Sequence, residues 1–192
     1  YDTRIRPANT SVAMEMVDAS ALLWRLTLRG VDVGPRWDAL ADAWLPLASD
    51  GFYAFNDVHA TMALVGAGRW SQVDGVLESL GEAAAGTGSN AMMTREVGLP
   101  VARALAAFGR GRYDIVIDEL LQVRAHAQRF GGSHAQRDIV HLTLLEAALR
   151  GGRASLARAL AAERVSVKPS SPLNWRLSAR ALVAAGLGAE SR

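Results

Sequence analysis

The chain has 192 residues, half of them apolar, a formal net charge of +2 and no cysteine. That is enough apolar material for one sizeable core or a continuous stack of helices. The absence of thiols excludes disulfides, Cys-ligated zinc and thiol chemistry. No apolar run approaches the roughly 18 residues of a membrane span, and the first residues lack a basic-then-apolar leader. The expectation is therefore a cytoplasmic protein without a membrane partner. The chain starts at Tyr1 rather than Met, so an N-terminal part is expected to precede it.

The small net charge hides an asymmetry, because residues 1–96 sum to −5 and residues 97–192 to +7. A gradient of that kind steers an acidic partner or favours head-to-tail association of like chains. Lys168 is the one lysine among 21 basic residues. Arginine favours fixed, bidentate contacts, although an Arg- and Ala-heavy composition equally follows from a GC-rich genome.

In chain order, Tyr1 to Arg6 reads as extended and stops at Pro7. Asn9 or Thr10 can cap a helix to about Leu28, with Val12, Met16, Ala19, Leu23 and Leu26 inward and Gly30 closing it. Pro35 opens a second helix with Trp37, Leu40, Ala41, Trp44 and Leu45 on one side. It is expected to end near residues 49–51 and to be kinked or shortened by Pro46. A third helix covers 52–65, and a fourth runs from Ser71 as N-cap to about Ala85. AGTGSN at 85–90 reads as a flexible joint.

The fifth helix, about 91–108, carries Gly98 and Pro100, which predict a bend or a delayed start near Leu99. The sixth runs from Tyr113 to about Phe130, where Gly131 and Gly132 stop it. Ser133 caps the seventh and forms a capping box with Gln136, while Ile139, Leu142, Leu145 and Leu149 mark its buried face. After Gly151 and Gly152 the eighth shows Leu156, Leu160 and Val165. Pro169 and Pro172 precede a ninth with Leu173, Leu177, Ala181 and Leu182 inward, and its tail from Gly186 is expected to fray. No segment alternates with period two for long enough to make a strand.

The organising stretch is 106–123, a helix end, a turn at Gly109 and Gly111, and a second helix starting at Tyr113. The same device recurs at 66–70, at 151–155 and more loosely at 33–37. Its marker residues Arg36, Arg69, Arg112 and Arg153 are spaced by 33, 43 and 41 residues, a helical-repeat period. The predicted fold class is all-α, with about four stacked helix pairs and a C-terminal capping helix in a single domain over 1–192. Stacking is required because one pair cannot cover its own apolar faces.

GGSHAQRD at 131–138, ERVSVKPSSPL at 163–173, FNDVH at 55–59 and REVGLP at 95–100 resemble the tetratricopeptide repeat protein 38 family. YDTRIRP, DASALLWRL and VDVGPRW resemble its bacterial branch. The resemblance spans nearly the whole chain and corresponds to the C-terminal part of longer members. It implies a tetratricopeptide-like α-solenoid and brings no established catalytic activity or ligand. The repeats depart from the usual length of about 34 residues, and Val73 and Val116 occupy a position that the consensus keeps small.

Two polar constellations stand out. In FNDVH, Phe55 and His59 share a helical face, while Asp57 is turned roughly 200° from His59, so the two form no dyad within one helix. The plainer reading is that these groups cap helix ends and satisfy backbone between repeats. In SHAQRD, His134, Asp138 and His141 fall at i, i+4 and i+7, the best metal-like spacing in the chain. The acidic base and flanking order of a zinc helix are missing, and an inter-repeat network of hydrogen bonds and ion pairs explains the pattern better. GRGR at 109–112 suits a helix-helix turn. The arginines at 150, 153, 158 and 164 have only Trp175 as an aromatic neighbour, which argues against a nucleic-acid surface. The tryptophans at 24, 37, 44 and 70 read as core.

The functional expectation is a scaffold, without catalysis, cofactor or metal of its own, whose concave surface holds a protein segment or another copy of the chain. The first helix of each pair would line that surface, which makes Asn56, His59, Arg95, Arg103, His134, Arg137 and His141 the candidate contacts. The alternative is an enzyme or small-molecule-binding protein whose site is completed by the preceding N-terminal part.

Overall fold

The computed structural model describes residues 1–6, 11–48, 50–51 and 53–187, apart from the side chain of Phe130, and among these every regular element is helical. In order they are α1 (Ala13–Leu28), α2 (Arg36–Trp44), α3 (Ala54–Gly66), α4 (Trp70–Ala84), α5 (Ser89–Met93), a π turn (Thr94–Gly98) and α6 (Leu99–Gly109). Then come α7 (Tyr113–Val123), a 3-10 turn (Ala127–Phe130), α8 (His134–Arg150), α9 (Ala154–Val167) and α10 (Pro172–Ala184). No helix is long and apolar enough to cross a membrane among the described residues.

The elbows repeat in atomic detail. Gly68, Gly111 and Gly152 have φ of 68°, 71° and 69°, and the following Arg69, Arg112 and Arg153 share a φ near −86°. In each, the arginine N–H bonds a carbonyl five residues back, as Arg112 to Ala107 at 2.9 Å, closing the helix in a Schellman-type turn. The turn sets Arg69 at the cap position of α4, so Ser71, expected as the cap, lies inside the first turn.

An aromatic side chain next to the elbow arginine locks each pair onto the next. Trp37 packs on Gly66 and Trp70 on Gly109, where a Cβ would stand 2.3 Å and 2.8 Å from the indole atoms. Tyr113 meets Gly151 in the same way, less tightly, at 3.1 Å. Arg110 lies over the Trp70 ring at 4.9 Å and pairs with Asp74 at 2.7 Å. Glycine is needed at 66 and 109 for close approach, at the ends of α3 and α6.

Each pair packs internally as α1 on α2, α3 on α4, α6 on α7 and α8 on α9, with α10 against α9. The inner helices α1, α3, α6 and α8 also touch in succession, and α1 touches α8, so they close a cycle. Trp24 sits inside it, 2% exposed, with its ring 5.6 Å from Phe108 of α6 and its indole N–H on Thr143 Oγ1 of α8 at 3.0 Å. Met16, Leu23, Met62, Leu64, Leu105 and Leu144 fill the surrounding core. Each contributes about 1.5–3 kcal/mol relative to exposure.

Several boundaries differ from the sequence expectation. α1 starts at Ala13 after Val12, which is 56% exposed rather than inward; Pro7, Asn9 and Thr10 lie outside the described residues. α2 stops at Trp44, because Pro46 cannot donate to the ladder; Ser49 and Phe52 are outside the described residues, as is the tail beyond Leu187. The joint at 85–90 is tied down through Asn90, which accepts from Ala54 N at 3.1 Å and donates to Gly51 O at 2.8 Å. Leu182 is exposed, because α10 packs mainly on α9 and leaves its other side open.

The expected irregularity at Gly98 and Pro100 is a π turn, and one residue links it to the early end of α7. Pro100 has no N–H for the Glu96 carbonyl, which receives His126 Nε2 at 3.3 Å. Arg129 pairs with the Glu96 carboxylate at 2.5 Å. These bonds hold 126–129 against the π turn, so α7 ends at Val123 and not near Phe130.

Candidate functional site

FNDVH lies on α3, which α1, α2, α4 and α6 surround. Only Asn56 is half-exposed. His59 is 1% exposed, its ring 4.5 Å from Phe55, and Nδ1–H donates to the Phe55 carbonyl at 2.7 Å. A carbonyl only accepts, which makes Nε2 a bare acceptor, and it has no partner among the described residues. Burial pushes the imidazole pKa down to about 4, so the ring is neutral at physiological pH.

Asp57 is 3% exposed, with Oδ2 unpartnered among the described residues. Burial, reinforced by the charge of Asp50, pushes its pKa up to about 7. The Thr94 hydroxyl in the π turn is likewise buried and unpartnered. Three polar groups are therefore held in or beside α3 at a desolvation cost, and Asp57 and His59 make no bond to each other.

SHAQRD opens α8 and faces a groove. The capping box forms as expected, with Gln136 N on Ser133 Oγ at 3.2 Å and Ser133 N on Gln136 Oε1 at 2.7 Å. It fixes the first turn, and His134, Arg137, Asp138 and His141 line an open cavity of about 1080 Å³ between α1 on one side and α9 and α10 on the other. Asp138 does not join the histidines. Arg164 of α9 takes it with two bonds at 2.6 Å and 3.2 Å, and Arg164 is itself held by Asn174 of α10. Among the described residues no three His, Asp or Glu side chains come together as metal ligands.

The charge of the groove is uneven. Arg124 pairs with Glu163, and Arg164 with Asp138. Among the described residues Arg137 bonds only the carbonyls of Gly131 and Gly132, and Arg25 only those of Ala21 and Ala135. Burial lowers the Arg25 pKa. Lys168 is exposed at the rim, and Asp18 is the one acidic wall residue outside an ion pair among the described residues. His141 is half-buried, its pKa lowered first by burial and then by Arg124, so it presents a neutral ring. Leu22, Leu173 and the 80%-exposed Val167 supply apolar wall.

Of the seven candidate contacts, His134, Arg137 and His141 share this groove. Asn56 and His59 lie on α3 and do not open into it. Arg95 is exposed and covers the end of α4 through the Ala84 carbonyl at 2.9 Å, and Arg103 is exposed on α6. The sequence reading missed Arg25 and Lys168. Arg25 carried no periodic signal, since it lies outside the inward stripe of Met16, Ala19, Leu23 and Leu26 on α1. No family model matches the chain, and no solved structure gives a significant match.

Proposed function

We propose that the protein is a tetratricopeptide-like scaffold, related to the tetratricopeptide repeat protein 38 family, whose groove between α1 and α10 holds an acidic segment of a protein partner. The observation that carries this reading is the pair of groove arginines, Arg25 and Arg137, bonded to backbone carbonyls alone. A carboxylate laid in the groove would meet two guanidinium groups that form no ion pair with an acidic side chain among the described residues, Arg25 having only the more distant charges of Asp138 and Asp18 beside it. Apolar rungs from Leu22, Val167 and Leu173 suit alternate aliphatic side chains of the same segment, and His141 offers a neutral hydrogen-bonding ring. The pair-by-pair stacking and the repeated Gly-Arg elbow support the solenoid part of the reading.

Selection of a random peptide display library on the intact chain tests it. Enriched sequences are expected to combine Glu or Asp with Leu or Ile, and Arg137→Ala with Lys168→Ala is expected to weaken a selected peptide about tenfold. Enrichment of basic peptides, or retention of full affinity by the double variant, would overturn the reading.

A further inference from the structure

A second basic cavity, of about 420 Å³, lies at the other end of α8, between the C-terminal end of α1 and the middle of α10. Four arginines converge on it, Arg29 from α1's end, Arg150 from α8, and Arg176 and Arg180 from successive turns of α10, against one acidic residue, Glu146. Glu146 is 4% exposed and fully engaged. It accepts from Arg150 Nε at 2.8 Å and from both terminal nitrogens of Arg180 at 2.9 Å and 3.1 Å. Arg150 is fixed further by the Leu28 carbonyl at 3.2 Å and by the Phe108 ring, 5.1 Å from its guanidinium carbon.

Glu146 therefore acts as a brace, since one buried carboxylate sets two guanidinium groups in place without cancelling both charges. Arg180 keeps its Nε–H outside the brace. Arg29 and Arg176 have no side-chain hydrogen bond or ion pair among the described residues, so two complete guanidinium forks face the same space. The formal charge of the lining is +3, and its floor, Leu28 and Leu177, is apolar and nearly fully buried. Guanidinium forks match the geometry of phosphate oxygens, and a concave site rich in them concentrates multivalent anions.

We propose that this cavity is a binding site for a phosphate dianion, carried either by a small organic phosphate whose body rests on Leu28 and Leu177 or by an inorganic polyphosphate. The site's arginines are not those of the peptide groove, with which it shares only the wall residue Leu173, and the proposal does not depend on that reading. Because it joins α1 to α8 and α10, an occupant would tighten the seam where the cycle of inner helices closes.

Calorimetric titration of the intact chain with phenyl phosphate and, separately, with pyrophosphate, in a phosphate-free buffer, tests the proposal. Saturable binding is expected for at least one of them, weaker by about tenfold in Arg29→Gln and in Arg176→Gln, both exposed positions whose circular dichroism should be unchanged. Tighter phenyl phosphate binding identifies an organic phosphate as the occupant, and tighter pyrophosphate binding an inorganic one. Arg137→Ala should bind as well as the parent. Absence of saturable binding by both anions, undiminished binding in the Arg29→Gln, Arg176→Gln double variant, or an equal loss in Arg137→Ala overturns the assignment.

Discussion

The helices α3 and α8 carry the two histidine motifs and use them in opposite ways. On α3 four helices crowd the polar residues, so among the described residues His59 Nε2 and one Asp57 oxygen find no partner. On α8 the same residue types stand beside a groove, where Asp138 gains a bidentate arginine and His134 meets solvent. What separates them is neither side-chain chemistry nor the number of neighbouring helices, four in each case, but where the motif lies: the α3 residues are enclosed, whereas the α8 residues stand in the first turns, at the open groove. A polar group enclosed on all sides is charged for its desolvation, and one at a groove can be solvated or bound.

The largest expected effect that would break this contrast is at Asp57. With a folded pKa of about 7 against 3.8 for the free carboxyl, the ionised form costs roughly 4 kcal/mol once the pH exceeds both values. Asp57→Asn is therefore expected to stabilise the protein by several kcal/mol at pH 8 and hardly at all at pH 4, as read by urea unfolding. Equal changes at both pH values would mean that the carboxyl is not desolvated.

The pH profile sharpens the point. The folded chain holds the Asp57 proton more tightly than the unfolded one, so this group lowers stability as pH rises from about 4 to 7. His59 has a folded pKa of about 4 against 6.5, so the unfolded chain holds its proton more tightly and stability rises with pH between those values. The two slopes oppose each other, which predicts a nearly flat profile for the parent from pH 4 to 6.5. Asp57→Asn should unmask a rise of about 3 kcal/mol over that range.

Next in size is the pair of glycines that end the two helices. Gly66→Ala drives a methyl to 2.3 Å from Trp37 and is expected to cost about 2 kcal/mol, while Gly151→Ala, whose methyl would stand 2.9 Å from the Ala147 carbonyl oxygen and 3.1 Å from Tyr113, should cost less. Thermal unfolding of both variants checks the order. The smallest effects belong to the first turn of α8. Ser133→Ala should lose about 1 kcal/mol with the capping box, and His134→Ala less than about 0.5 kcal/mol.

Much of the fold was legible because its punctuation is local. Gly-Arg elbows, the Ser133 and Gln136 box and the disturbance at Pro100 all act within a few residues, and each left its mark in the sequence. The burial of FNDVH was not legible. Periodicity names one inward face, and no pattern within α3 reveals that its outer face is covered too. The bond from Trp24 to Thr143 spans 119 positions and leaves no periodic trace. The site divided along the same line: the α8 residues followed from spacing, whereas Arg25 faces the groove only because α1 meets α8.

That contact also bears on how the molecule comes apart. An open stack can shed repeats from either end, each step disturbing one neighbour. Once the first inner helix rests on the last, peeling any pair must also break the seam that Trp24 seals. Unfolding is then expected as a single cooperative transition, despite a repetitive build that elsewhere frays in stages.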